Sequence, residues 1–315
     1  MEKRCLIAIV AILIVITAVF AGCKKTPSPE AQTGIREEVY TGTSGLKMNF
    51  AKNMPPSRMY DTSSLNILLE LENKGTSDLS GSKCMLYLSG FDENIIRGLD
   101  KEKQCAASLE GKSILNPEGG YSTQEFSTDL IYLPDYLDKL RQTIQVTACY
   151  EYQTTASPVV CIDPHLYEIG PIERACVVKD VLMGGGQGAP VAVTGVEVKM
   201  AGRNRVAFNI KVSNVGGGTP LHRGVSLFNE CPYNINVKDY NVISYNVEMA
   251  GAYKIRCVPE IEGEPAIRLV DGKGTIYCTF GISGDAAYST PLRITLDYSY
   301  IDSISKDIEI IKTPQ

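Results

Sequence analysis

Two segments of the chain alternate apolar and polar residues, and each ends on the same turn. In SLNILLELENKG, Leu65, Ile67, Leu69 and Leu71 fall on one face. Asn66, Glu70 and Glu72 fall on the other, with Leu68 the exception. In RVAFNIKVSNVG, Val206, Phe208, Ile210 and Val212 share a face opposite Arg205, Asn209, Lys211 and Ser213. Side chains alternate across a strand, so both segments read as half-buried β-strands. They align at an offset of 141, which sets Asn73 on Asn214 and Gly75 on Gly216, where each strand enters a turn.

A second pair follows in the same order. QVTACYEY at 145–152 puts Val146, Ala148, Tyr150 and Tyr152 on one face, continuing from Ile144. RITLDYSY at 293–300 does the same with Ile294, Leu296, Tyr298 and Tyr300, continuing from Leu292, at an offset of 148. Two strand pairs in one order, seven residues apart in offset, imply a duplicated unit. The expected organisation is a domain over 40–155, a connector over 156–175 holding Pro158, Pro164 and Pro171, and a second domain over 176–312. GLKMNF, CMLYLSGF, PVAVTGVEVKM, NVISYNVEM, IRLV and TIYCTFGI supply further short strands. DYLDKLRQ, residues 135–142, reads as a short helix. The expected fold class is all-β, two antiparallel sandwiches in tandem.

The first residues belong to neither sandwich. Lys3 and Arg4 precede LIAIVAILIVITAVF, then Ala21, Gly22 and Cys23. A basic start, a short apolar run and a small-residue site describe an export signal over 1–22. Small residues before a cysteine resemble a lipobox, which implies acylation of Cys23; Phe20 departs from that pattern, where such motifs carry Leu. The alternative is an uncleaved anchor helix, for which Leu6 to Gly22 is short. Residues 23–39, rich in Lys, Pro, Ser, Thr and Glu, read as a solvated tether. Either way the expected location is the extracytoplasmic face of the cell membrane. The formal net charge is −5, and removing 1–22 makes it −6 because Glu2, Lys3 and Arg4 are lost. An acidic chain has no electrostatic footprint for nucleic acid.

Of ten cysteines, Cys5 lies in the signal and Cys23 at the lipid site. The other eight, Cys84, Cys105, Cys149, Cys161, Cys176, Cys231, Cys257 and Cys278, are an even set in an exported chain and read as disulfides. No pair has CxxC spacing and the only histidines are His165 and His222, so neither a metal nor another cofactor is expected. Cys84 lies 147 residues from Cys231 and Cys105 lies 152 from Cys257, close to the repeat offset. This predicts an equivalent bridge in each domain, Cys84–Cys105 and Cys231–Cys257, each contributing about 3 kcal/mol. For the rest, Cys149–Cys161 with Cys176–Cys278 keeps each bridge near one domain. The alternative is Cys161–Cys176 across the connector, leaving Cys149 and Cys278 to pair between domains.

The strands ending in Asn-x-Gly, ELENKG and KVSNVG, resemble the immunoglobulin-like modules of bacterial and archaeal surface proteins, the CARDB-type domain among them. The lipobox-like start and the Cys-Ile-Asp-Pro at 161–164 resemble archaeal exported lipoproteins. The resemblance implies immunoglobulin-like sandwiches and a surface role in adhesion or assembly. It assigns no functional residue.

Catalytic chemistry has little to draw on. His165 lies in the Pro-rich connector and His222 in a Gly-rich turn. GGGQG at 184–188 lacks the GK[ST] ending of a phosphate loop, and VDGKGT at 270–275 lacks the acidic ligands of a calcium loop, so both read as turns. Asp92 and Glu93 are adjacent and point apart. The candidate recognition loop is NECPYNINVKDYNVISYN at 229–246, with Tyr233, Tyr240 and Tyr245, because tyrosine offers apolar area with a polar tip. The reading is therefore a non-catalytic, membrane-tethered surface protein with a protein partner in the envelope. The alternatives are a carbohydrate- or small-ligand-binding lipoprotein and an envelope hydrolase.

Overall fold

The computed structural model describes residues 39–170, 174–184 and 186–314. The expected export signal over 1–22, Cys23 and most of the expected tether lie outside the described residues. The first half contributes β1 (Leu46–Phe50), β2 (Leu65–Asn73), β3 (Cys84–Ser89), β4 (Glu102–Gln104), β5 (Tyr121–Thr128) and β6 (Lys139–Ala156). One layer has the order β1-β2-β5 and the other β6-β3-β4. The second half contributes β7 (Val191–Met200), β8 (Arg205–Asn214), β9 (Val242–Met249), β10 (Ala252–Val258), β11 (Glu264–Arg268), β12 (Lys273–Ile282) and β13 (Tyr288–Ile311). Its layers are β7-β8-β12-β10 and β13-β9-β11. The strand order thus repeats, with β10 the addition.

The two halves are joined through a shared sheet. All 18 residues of β6 pair antiparallel with β13, from Lys139 opposite Ile311 to Ala156 opposite Ile294. Glu151 faces Ser299, Tyr150 faces Tyr300 and Tyr152 faces Tyr298. At the repeat offset of 148, Tyr150 corresponds to Tyr298 and Tyr152 to Tyr300. The pairing therefore exchanges equivalent residues about a local pseudo-twofold axis between Glu151 and Ser299. Because β6 and β13 carry the same alternation, their apolar faces meet on one side of the joint sheet. Residues Val39–Gln315 form one compact unit. A single apolar cluster runs from Leu65, Ile67, Leu69 and Leu71 through Ile144 and Val146 to Phe208, Ile210 and Phe280. Each such buried side chain is worth about 1.5–3 kcal/mol against exposure.

The Asn-x-Gly motif has a physical role in both halves. Tyr152 donates its hydroxyl to Asn73 Oδ1 at 3.1 Å and accepts from the Ser77 amide at 3.3 Å. Tyr300 donates to Asn214 Oδ1 at 3.0 Å and accepts from the Gly218 amide at 2.9 Å. The carboxamides of Asn73 and Asn214 donate to the carbonyls of Ser77 and Gly218, at 2.8 and 2.9 Å. Glycine follows because the tyrosine hydroxyl occupies the space of a side chain. A Cβ on Gly75 would lie 1.9 Å from the Tyr152 hydroxyl, and one on Gly216 would lie 2.5 Å from that of Tyr300. The four tyrosines at the joint pack together, with ring centroids 5.7–6.4 Å apart. Burial pushes the Tyr300 hydroxyl up to about 12 and raises those of Tyr150, Tyr152 and Tyr298 as well.

Gln187 and Gly188, at the end of GGGQG, are built into this joint. The Gly188 carbonyl accepts from the Thr76 amide at 2.8 Å, and the buried Gln187 carboxamide bonds both backbone groups of Val193. Gly188 has φ 65°, and a Cβ there would lie 2.5 Å from Thr76 Cγ2. Gln187 and Gly188 thus pack against Thr76 beside the Asn73–Gly75 turn.

Three disulfide expectations are corrected. Cys84 is bonded to Cys105, but Cys231 is bonded to Cys149 and not to Cys257. Cys257 is bonded to Cys278, directly opposite it on β12, with the Cα atoms 4.1 Å apart. Cys161 is bonded to Cys176, which replaces the expected Cys149–Cys161 and Cys176–Cys278 and staples the connector. The repeat misled because equivalent positions do not carry equivalent cysteines. Met85 and Ser244 face Cys149 and Asp297, which are related by the 148 offset. Cys84 and Cys105 therefore correspond to Ile243 and Ile267, an apolar pair facing each other across β9 and β11. The expected helix at 135–142 is also corrected. Residues up to Asp138 form a turn and Lys139 opens β6, where backbone pairing with β13 overrides local propensity.

Candidate recognition site

Strand β3 is apolar on both faces. Cys84, Leu86 and Leu88 join the main core, while Met85 and Tyr87 point the other way and are also buried. They are covered by an excursion of the second half between β8 and β9. It begins with the short strand Thr219–Leu221, which pairs with β13, Leu221 opposite Ser299. The chain then crosses the outer face of β6 and β3, burying Val225, Leu227 and Cys231 against Met85, Tyr87 and Cys149. The Cys149–Cys231 bond pins it, with Cα atoms 6.4 Å apart. Tyr87 donates its hydroxyl to the Leu227 carbonyl. CMLYL, an unbroken apolar run over residues 84–88, is the signal that both faces of this strand are covered.

This excursion carries Tyr233. Its ring is 66% exposed and stands edge-on to the buried Tyr87 ring, centroids 6.3 Å apart at 79°. A hollow of about 300 Å³ lies beside it, lined by Tyr87, Phe91, Glu93, Lys101, Glu102 and Tyr233. Lys101 donates to Glu93 at 2.9 Å, and that bond holds the ammonium above its ordinary range. Burial pushes the Tyr87 hydroxyl up to about 12, so it stays a neutral donor to Leu227. The arrangement is an aromatic face held by a disulfide two residues away, with charged groups at its margin.

The three tyrosines of the predicted loop do not form one surface. Tyr245 lies in β9, 5% exposed, and donates to the Pro259 carbonyl at 2.7 Å; burial pushes its hydroxyl up to about 12. Tyr240 is half-buried against the cluster under the excursion, and its carbonyl accepts from Arg268 at 2.7 Å. Strand alternation turns Tyr245 inward, whereas Tyr233 sits on irregular chain.

The other sequence candidates settle into structural roles. His165 Nδ1 lies 3.0 Å from Glu168, which raises the imidazole above its ordinary range, and Arg174 pairs with buried Asp163 at 3.2 Å. His222 accepts from the Gly224 amide at 3.4 Å. Asp271 and Gly272, both at positive φ, form the tight turn of VDGKGT between β11 and β12, closed by an isolated bridge between Val270 and Lys273. Asp92 accepts from the Asn94 amide at 2.8 Å, while Glu93 pairs with Lys101. Among the described residues no group of three or more His, Cys, Asp or Glu is placed to hold a metal ion. No described helix is long and apolar enough to cross a membrane.

No protein-family model matches the chain, and no curated protein matches it. Among solved structures, the crystal structure of red sea bream transglutaminase is similar over 92% of this chain and 34% of that one, at 9% identity and a TM-score of 0.19. The chain spans about a third of that protein's length, and so slight a likeness carries neither fold nor activity across.

Proposed function

We propose that the chain is a non-catalytic surface protein, tethered to the extracytoplasmic face of the cell membrane through Cys23 or its N-terminal segment. In this reading its two immunoglobulin-like sandwiches present the Tyr233 surface to a protein partner of the envelope. The observation that supports it most is the Cys149–Cys231 bridge, which holds an exposed tyrosine against a buried one. Four disulfides fit an oxidising compartment outside the cytoplasm. An exposed ring held in place costs little entropy on binding, which favours a recognition role over a solvated loop. A second reading, binding of a glycan, is favoured by the hollow beside Tyr233, where carboxylates border an aromatic face.

The test is crosslinked capture of the full chain from its native membranes, with Tyr233→Ala and Cys23→Ala forms. The proposal expects a stoichiometric protein partner lost with Tyr233→Ala; membrane association is lost with Cys23→Ala if the tether is the lipid and kept if it is the N-terminal segment. A partner retained by Tyr233→Ala would remove the site from this role. Retention of glycan without protein would favour the second reading.

A further inference from the structure

The expected tether joins the fold beside the joint. The described chain begins at Val39, which is buried, and the Gly42 carbonyl accepts from the Gly188 amide at 2.9 Å. Sixteen residues separate Val39 from Cys23, a length of chain that reaches at most about 55 Å.

A turn stands at this point of exit. Lys112 donates its amide to the Gly75 carbonyl at 2.6 Å and its ammonium to the Thr41 carbonyl at 3.5 Å. The four residues after it close on themselves. The Ser113 amide donates to the Asn116 carbonyl at 2.9 Å, and the Asn116 amide donates to the Ser113 carbonyl at 3.1 Å. The two residues at the tip are Ile114 and Leu115, 52% and 96% exposed. Tyr40, next to Thr41, is exposed as well.

Turn chemistry does not ask for these residues, because two-residue turns favour Asn, Asp and Gly. The second half makes that choice. Its turn leading into β12 is closed by the same pair of bonds, between Val270 and Lys273, with Asp271 and Gly272 at the tip. The turn leading toward β5 has Ile and Leu in their place, and the base of this turn holds Thr41. Two large apolar side chains held out in water on an ordered turn are an exposure that a lipid interface relieves.

We propose that the Ile114–Leu115 turn dips into the bilayer interface and seats the fold on the membrane that the tether reaches. The attraction is apolar, since the chain carries net negative charge and has no reason to seek anionic lipid. Tethering makes the contact intramolecular, so two side chains suffice where they would not hold a free protein. The inference rests on the membrane-tether reading and is independent of Tyr233.

The chain has no Trp, so Leu115→Trp is a unique reporter. The experiment reconstitutes the full chain carrying it into phosphatidylcholine vesicles and checks association by flotation. Tryptophan emission is then compared with and without bromine on the lipid acyl chains. The comparator is Tyr136→Trp, 84% exposed just before β6, at the end of that strand far from Tyr152. A turn seated about 5–10 Å into the interface brings position 115 within reach of the bromines, so its emission should shift to the blue and fall by about half or more. Position 136 should emit as in water with either lipid. Ile114→Asp, added to Leu115→Trp, should abolish the quenching and leave flotation intact. An unquenched position 115 in chain that floats, or equal quenching at both positions, would overturn the inference and leave the tether reading standing. Chain that does not float would remove the tether reading and this inference with it.

Discussion

The two Asn-x-Gly turns look alike in sequence, but the structure makes them unequal, and that inequality can be measured. Asn73 is 0% exposed. Its carboxamide donates to the carbonyls of Ser77 and Leu109, at 2.8 and 3.0 Å, and accepts from the Gly75 amide and the Tyr152 hydroxyl, at 3.2 and 3.1 Å. Asn214 is partly exposed, donates to the Gly218 carbonyl at 2.9 Å and accepts from Tyr300 at 3.0 Å. A net hydrogen bond is worth about 1 kcal/mol, and a buried group left unpaired costs about 1–3 kcal/mol. Asn73→Ala removes four such bonds inside the core, for a loss of about 3–5 kcal/mol. Asn214→Ala removes two where water can substitute, for a loss of about 1–2 kcal/mol. The chain has no Trp and 17 Tyr, so urea unfolding can be followed by tyrosine fluorescence, comparing midpoints at unchanged slope. If Asn214→Ala costs as much as Asn73→Ala, or if neither exceeds about 0.5 kcal/mol, then the turns are not held by these side chains.

Gly75→Ala and Gly216→Ala should each destabilise by about 2 kcal/mol or more, because the added methyl displaces the hydroxyl of Tyr152 or Tyr300; thermal melts read this directly. Stability should fall at alkaline pH. The hydroxyl of Tyr300 is raised to about 12 in the folded state, so below pH ~10 its contribution is complete, and it is lost as pH rises through 12. Tyr87 and Tyr245, also raised to about 12, act in the same window, and unfolding midpoints between pH 9 and 12 would show a steepening decline. Replacing Cys149 and Cys231 together by Ala opens a separation of 82 residues and should cost about 4 kcal/mol. The same variant should release Tyr233, read as a loss of whatever binding Tyr233→Ala abolishes.

Much of the fold was legible because strand alternation is a local property. The faces of β2, β8, β6 and β13 follow from period two alone. The Asn-x-Gly motif was legible as a turn, but not as the socket of a tyrosine some eighty residues away. The candidate site was legible in part. Tyr233 is exposed, but Tyr245 follows the inward side of its strand and Tyr240 packs under the excursion. The helix expected at 135–142 failed because its residues are the end of a long pairing, a constraint set by β13 more than 160 residues on.

From its sequence alone the chain determines a set of amphipathic strands, a repeat, an acidic surface and an even complement of bridging cysteines, each a matter of residue type and spacing. Tertiary structure alone decided that β6 and β13 pair, that equivalent tyrosines meet across a pseudo-twofold axis, and which cysteines bond. It also decided that the excursion of the second half covers the outer face of β6 and β3. The reason is physical: a bridge or a lining forms between atoms brought within a few ångströms, and register between distant strands sets those distances, not separation along the chain.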